Sequence, residues 1–367
     1  MRLRVLVVPD KFKGTINALS AAAAMARGWR RVRQGDTLQT LPMSDGGDGF
    51  GPVLSRLLDA SSQMVTTVDA AHRPCRARWW WEPRGKTAIV ETAGVIGLAM
   101  LPPGRFHPFE LDTFGLGKVF RAAEAKGARR LLIGIGGSAT NDGGFGLARA
   151  LGWQFLDARE TTIEHWRDLA RLCRIRPPAR PLRIREIVVA VDVQNKLLGA
   201  RGATRVYGPQ KGLRPSGFSA AERNLRRLTE VARSGRVYRD QPGSGAAGGL
   251  GFGLLAFARA RLEPGFELFA RLAKLERLLA AADLVITGEG AIDRSTLMGK
   301  GVGEIARKCR SLGIPCVGLG GAVSLSRSEL RWFSKTAALT EVTTVEKAKA
   351  RPAFWLERLA KLVAGDW

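Results

Sequence analysis

Side chains that could hold and move a phosphoryl group recur in this sequence at the ends of short apolar runs. The acids are Asp10, Asp45, Asp48, Asp142, Asp192, Glu289 and Asp293, and the bases are Lys11, Lys13, Lys211 and Lys300. Such carboxylates hold Mg²⁺ through water and one or two direct bonds. Lysines and loop N–H groups neutralise phosphate oxygens, and phosphoryl transfer asks a protein mainly for positioning and charge stabilisation. Their placement matters because open parallel sheets bind ligands outside the carboxyl ends of their strands.

The stretch LLIGIGGSATNDGG (131–144) organises the rest. Its apolar run predicts a buried strand. Gly136 and Gly137 open a turn, Ser138, Thr140, Asn141 and Asp142 follow, and a helical period begins after Gly144. Glycine lets backbone N–H groups approach a ligand, and a helix N-terminus favours an anion, so phosphate or carboxylate is the expected guest. The block PMSDGGDGF supplies Ser44, Asp45 and Asp48, and VYGPQKG sets Tyr207, Gln210 and Lys211 in a turn between Gly208 and Gly212. The run GEGAID ends a strand with Glu289 and Asp293, and Lys300 lies beyond it in MGKG. Asp192 ends the buried run VVAVD. Its carboxylate is expected to face a cleft, either as general base for a substrate hydroxyl or as a Mg²⁺ ligand. A cap on the following turn is the structural alternative. Gly243, Gly245 and Gly248 satisfy G-x-G-x-x-G without a clean apolar strand before them. A closely packed or phosphate-facing helix start fits them better than a dinucleotide site.

Several chemistries are excluded. The Gly-Lys pairs at 117–118 and 299–300 lack the phosphate-loop spacing, and no G-x-S-x-G elbow or protein-kinase catalytic loop occurs. His72, His107 and His165 stand alone. Cys75, Cys173, Cys309 and Cys316 form no close ligand pair, which points to free thiols in a reducing cytoplasm. No apolar run is long enough for a membrane helix. Against 33 acids stand 58 lysines and arginines, a net charge of +25. The excess is spread along the chain, and its densest stretch, 171–185, is proline-broken and lacks aromatic residues. That pattern predicts a solvated surface bias that draws in small anions, with no specific nucleic-acid partner.

The elements that must position these groups follow from the apolar pattern. Strands are expected at 3–8, 37–43, 131–135, 186–195, 282–293, 314–323 and 337–342, with a meander across 64–94 whose Trp79, Trp80 and Trp81 are core residues. Helices are expected at 18–33, through 58, at 115–126, at 225–233 and at 268–281, and 159–183 reads as weakly structured. Strands from both chain ends form one parallel sheet, and the middle is an insertion. The fold class is therefore α/β with two domains, 1–64 joined to 280–367 and a mixed-sheet domain at 65–279. From the residues alone, this is an α/β enzyme handling phosphate and small anions.

The ordered blocks VVPDKFKGTINA, PMSDGGDG, GIGGSATNDGG, VYGPQKG, PGSGAAGGLGFG and LVITGEGAID resemble the bacterial glycerate kinases of type I, nearly end to end. The resemblance implies ATP-dependent phosphorylation of D-glycerate, usually at the 2-hydroxyl. It also implies two α/β domains with a cleft between them, one Rossmann-like and built from both chain ends. The division of the loops, with Gly136, Gly208 and Gly245 in the middle and Asp10, Asp45 and Glu289 in the terminal domain, predicts closure over substrate. On this reading Asp192, Asp293 and Lys211 are the expected catalytic residues. Substrate or nucleotide would be bound by Asp10, Lys13, Ser44, Asp45, Gly136, Gly137, Ser138, Thr140, Asn141, Asp142, Gln210, Gly245, Gly248, Glu289 and Lys300. Mg²⁺ would be held by Asp45, Asp192 and Asp293. The expected partners are D-glycerate and ATP, with a homodimer left open. The chain departs from the family pattern at Asn195-Lys196-Leu197, at Ala291 in place of Arg, at Ser295-Thr296, and at Phe114, Leu116 and Lys118. Those departures leave room for a different small hydroxy acid, or for a silent anion-binding protein on the same fold.

Overall fold

A computed structural model describes residues 2–298 and 301–367. It divides into two compact units, Met1–Asp45 with Phe266–Trp367, and Gly46–Gly265. In chain order the strands are β1 (Arg4–Pro9), β2 (Thr37–Thr40), β3 (Ser61–Val68), β4 (Pro74–Glu82), β5 (Thr87–Glu91), β6 (Arg130–Gly134) and β7 (Gln154–Leu156). They continue with β8 (Arg174–Arg176), β9 (Glu186–Val191), β10 (Arg261–Pro264), β11 (Leu284–Ile292), β12 (Cys316–Val323) and β13 (Lys335–Ala338).

The first unit carries an all-parallel sheet ordered β13-β12-β11-β1-β2. Strands covered on both faces read as continuous apolar runs, and β1 is buried from Val5 onward. The Ala18–Arg30 helix begins at Asn17, whose side chain accepts the Ser20 N–H at 2.8 Å. It buries Met25 and Trp29 completely, and each such burial stabilises the fold by roughly 1.5–3 kcal/mol. Its Gly28 lets the C-terminal helix Pro352–Ala364 approach so closely that a Cβ there would lie 2.1 Å from the Glu357 carbonyl oxygen. Arg27 and Arg31 both pair with Glu357 across that contact.

The second unit carries a mixed sheet ordered β10-β9-β6-β5-β4-β3, antiparallel only at β3-β4 and β4-β5. This is the expected meander joined to parallel strands. Trp79 and Trp80 are buried in it, and the Trp80 ring fills the space beside Gly51 of the Phe50–Leu58 helix.

Several elements differ from expectation. The segment 268–281 is two helices, Gly265–Ala273 and Leu275–Ala280, split at Lys274 in the left-handed conformation (φ 51°). Strand β13 ends at Ala338 and passes into a 3₁₀ turn, Leu339–Glu341. The stretch 159–183 contains a 3₁₀ helix, Trp166–Arg171, beside the small antiparallel pair β7-β8. Ile163, Trp166, Leu169 and Leu172 are all buried there, at the three-residue period of a 3₁₀ helix rather than the 3.6 of an α-helix.

Candidate active site

In the first unit the carboxyl ends of β1, β2 and β11 bring three acids together. Asp10 follows β1, Asp45 follows the turn after β2, and Glu289 lies on β11. Burial, reinforced by the charges of Asp45 and Glu289, pushes the Asp10 carboxyl up to about 7. The Lys11 N–H donates to Asp10 Oδ1 at 2.7 Å, and Lys11 Nζ stands 3.7 Å from Asp45 Oδ1. Ser44 is buried beside this cluster in sequence, and Lys13 is exposed.

Beyond Glu289 the chain folds into a tight polar turn. Asp293 Oδ1 accepts from the Ser295 N–H at 2.7 Å and from the Ser295 hydroxyl at 2.5 Å. The fully buried Thr296 donates to Glu289 Oε1 at 2.8 Å and accepts the Asp293 N–H at 3.1 Å. Ser295 and Thr296, which depart from the resembled pattern, thus fix both acids of GEGAID. Ala291, another departure, is exposed. Lys300 lies outside the described residues.

In the second unit a polar cluster forms around the 136–144 loop. Asp142 is completely buried, and one oxygen accepts from Thr113 N–H, Thr113 Oγ1 and Gly146 N–H at 3.0, 2.7 and 2.9 Å. Its other oxygen accepts the Gly144 N–H at 3.2 Å. Asp142 therefore serves the start of the Phe145–Ala150 helix as an internal anion. Burial, with the nearby Asp112 charge, lifts its carboxyl to about 6 against those donors. Asp112 in turn bonds the His72 ring at 3.0 Å, which raises the imidazole above its usual range. Phe114 packs beside His72 and under the Arg149 guanidinium, and Leu116 is buried.

Lys211 is buried, and its ammonium donates to the Thr140 carbonyl at 2.6 Å. Burial pulls its pKa down to about 7, with Asp142 opposing the shift. The adjacent Asn141 donates to Thr204 Oγ1 at 3.0 Å, and its own buried Oδ1 has no partner among the described residues. Ser138 and Thr140 hydroxyls bond one another at 2.8 Å. Gly248, Gly249 and Gly253 pack against the backbone of this loop. Gly248 has φ +68°, and a Cβ there would lie 1.8 Å from the Thr140 carbonyl oxygen. At Gly245 a Cβ would lie 2.2 Å from the Lys196 carbonyl oxygen. Gln210 is exposed in the 3₁₀ turn Pro209–Lys211.

Asp192, at the end of β9, is exposed, and its Oδ1 accepts the Gly265 N–H at 3.2 Å. Nearby, Asn195 is held by Tyr207 and by the Arg201 carbonyl, while Leu197 is buried. Among the described residues, no group of three or more His, Cys, Asp or Glu is arranged to hold a metal ion. All four cysteines are free thiols, and no described helix is long and apolar enough to cross a membrane.

One residue escaped the sequence reading. Glu91, at the carboxyl end of β5, accepts the N–H groups of Gly49 and Gly51, each at 2.9 Å. The signal that could have found it is negative: the Phe50–Leu58 helix starts at a glycine with no capping side chain of its own.

The sequence profile described as the glycerate kinase family matches residues 5–367. A glycerate kinase of Bacillus subtilis (strain 168) is 36% identical, over 99% of this chain and 97% of that protein. A glycerate 2-kinase of Escherichia coli (strain K12) is 33% identical, over 88% of this chain and 86% of that protein. The crystal structure of a candidate glycerate kinase 2 from Salmonella typhimurium LT2 superposes with a TM-score of 0.82 at 31% identity, over 100% of this chain and 98% of that one. With acidic and basic groups at the strand ends and a match along nearly its whole length, this chain belongs to the glycerate kinase family.

Proposed function

We propose that this enzyme transfers the γ-phosphoryl group of ATP to D-glycerate at the 2-hydroxyl, giving 2-phosphoglycerate. The observation that carries the reading is the near full-length similarity to proteins named glycerate kinase and glycerate 2-kinase. The strand-end acids and the buried Lys211 support it chemically. The reaction is expected in a reducing cytoplasm, in keeping with four free thiols.

Three side chains are assigned reaction roles. Asp192 accepts the glycerate hydroxyl proton, since its Oδ1 is already oriented by the Gly265 N–H while the residue stays accessible. Lys211 places positive charge toward the transferring phosphoryl oxygens. An ammonium that burial holds near neutrality gains most when an anion arrives beside it. Asp293, fixed by Ser295, keeps the turn after β11 in one shape for substrate contacts. Among the binding residues, Asn141 offers a buried carbonyl oxygen, without a partner among the described residues, that suits a hydroxyl or water of a bound substrate.

Magnesium suits the first unit's acids. It takes oxygen ligands and keeps several waters, so one or two carboxylates suffice without a preassembled triad. Asp45 is the member of the expected ligand set whose charge acts directly on Asp10, and a cation there would ease the part of the Asp10 rise that adds to burial. When bound, it supplies neutralising charge to phosphate oxygens.

Phosphorus NMR of the product from D-glycerate, Mg²⁺ and ATP tests the reading. A 2-phosphoglycerate resonance is the expected result. The 3-phospho isomer would overturn the regiochemistry, and absence of any phosphoglycerate with folded protein would overturn the activity. A second reading, a kinase of another small hydroxy acid, draws on exposed Ala291 and on Phe114 packed against His72. A panel of hydroxy acids separates the two.

A further inference from the structure

The geometry points to Glu91 as a positioning residue for the kinase reaction, acting through the 46–51 segment. Contacts with Ala190, Gly136 and Glu91 help hold that segment across the carboxyl ends of the second unit's parallel strands. Gly46 (φ +100°) lies on Ala190 at the end of β9, where a Cβ would meet the Ala190 carbonyl oxygen at 2.9 Å. Gly46 also accepts the Gly136 N–H through its carbonyl at 3.3 Å, and Gly47 lies so near Gly136 that a Cβ on the latter would stand 2.6 Å away. The third contact is the charged one: the two oxygens of Glu91 take the N–H groups of Gly49 and Gly51.

A nine-residue helix, Phe50–Leu58, starts from this segment. Its first N–H groups need acceptors, and Gly49 supplies none from its own side chain. A local serine or aspartate cap would have satisfied the helix without tying it to anything else. Here the acceptor comes from β5, the neighbour of β6 in the sheet, so the helix start and the glycine turn Gly136-Gly137 are fixed to one rigid edge. Two consequences follow. The helix N-terminus is already filled by an internal carboxylate, so no substrate phosphate is received there. The backbone of 46–48, which carries Asp48 and directly follows Asp45, is held in one conformation before substrate binds.

The inference rests on the glycerate kinase reading, and its test separates the two. Glu91→Ala and Glu91→Gln are compared with wild type for kcat, for KM toward D-glycerate and ATP, and for amide hydrogen exchange across 44–52. Circular dichroism at the assay temperature fixes the folded fraction. The expected result is a kcat at least tenfold lower per folded molecule, KM values within threefold, and at least tenfold faster exchange at 49–51. Added formate, which fits the space left by Glu91→Ala and restores an anion to the helix start, should recover at least fivefold in kcat and slow the exchange. Glu91→Gln keeps the side-chain size and one acceptor, and covers the case in which Glu91→Ala does not fold. A folded variant with kcat within twofold of wild type, or unchanged exchange at 49–51, would overturn the inference. Wild-type protein inactive on D-glycerate would count against the substrate reading alone, since the exchange measurement still decides the role of Glu91.

Discussion

Replacing Lys211 by methionine should make the protein more stable at neutral pH while removing its activity. The ammonium is buried with the Thr140 carbonyl as its bonded partner, and its pKa falls from 10.5 to about 7. The unfolded chain therefore binds one more proton than the folded chain between those two values, and wild-type stability rises with pH across that window. At about 1.4 kcal/mol per pH unit, keeping Lys211 inside costs roughly 4 kcal/mol at pH 7 and roughly 2 kcal/mol at pH 9. Methionine keeps the apolar stem but leaves the Thr140 carbonyl oxygen unsatisfied, at a cost of about 1–3 kcal/mol. The Lys211→Met variant should thus gain about 1–3 kcal/mol at pH 7 and come within about 1 kcal/mol of wild type at pH 9. Asp10 is common to both proteins and cancels in the difference, and Asp142, lifted to about 6, titrates mainly below the window. Urea unfolding of both proteins at pH 7, 8 and 9 measures the difference directly. Turnover of D-glycerate should fall on the order of a hundredfold or more, the scale of a charge-stabilising group. Parallel stability curves for the two proteins, with no narrowing toward pH 9, would refute the reasoning.

Other perturbations are expected to separate packing from chemistry. Gly248→Ala combines a positive φ with a Cβ placed on the Thr140 carbonyl, and should lower stability by roughly 3 kcal/mol or more by urea unfolding. Gly14→Ala, with φ +76° and nothing within 4 Å, isolates the conformational part and should cost only about 1 kcal/mol. Asp192→Asn keeps the acceptor for the Gly265 N–H and removes the basicity, so kcat should drop on the order of a hundredfold with a melting temperature near that of wild type. A near-normal kcat in the folded variant moves the role of base to Asp293 or Asp45. Chelation of divalent cations should abolish turnover and Mg²⁺ should restore it, whereas full activity in excess EDTA would remove the metal from the mechanism.

The parallel sheet was legible because its strands are covered on both faces and so appear as unbroken apolar runs, as in LVV of β1 and LVIT of β11. The strand-end acids were legible for the same reason: where the run stops, the next polar residue must sit at the carboxyl edge. Glu91 was not legible. In TAIVETAG it reads as one more residue ending a strand, and its role depends on which distant loop crosses β5, a tertiary fact with no local spacing. The two-helix break at Lys274 was hidden too, because a lysine in the left-handed conformation carries no composition signal of the kind glycine gives.

The glycine loops show why the chemistry was harder to read than the fold. Their sequence suggests phosphate cradles, since glycine followed by a helix is how many proteins receive an anion. Yet the helix starts at Phe50 and Phe145 are both filled from within, by Glu91 and by Asp142. Glycines 46, 136, 144, 248 and 253 instead stand where backbone meets backbone and a Cβ would collide. An anion already in place makes each helix start a fixed, neutralised corner rather than a receptor. On the proposed function, side chains then carry more of the contact with an incoming phosphoryl, above all the buried Lys211. A kinase built this way would draw its selectivity from how few charges it leaves unmatched before substrate arrives, so a single charge removed at Lys211 should weigh more on turnover than any one glycine-loop N–H.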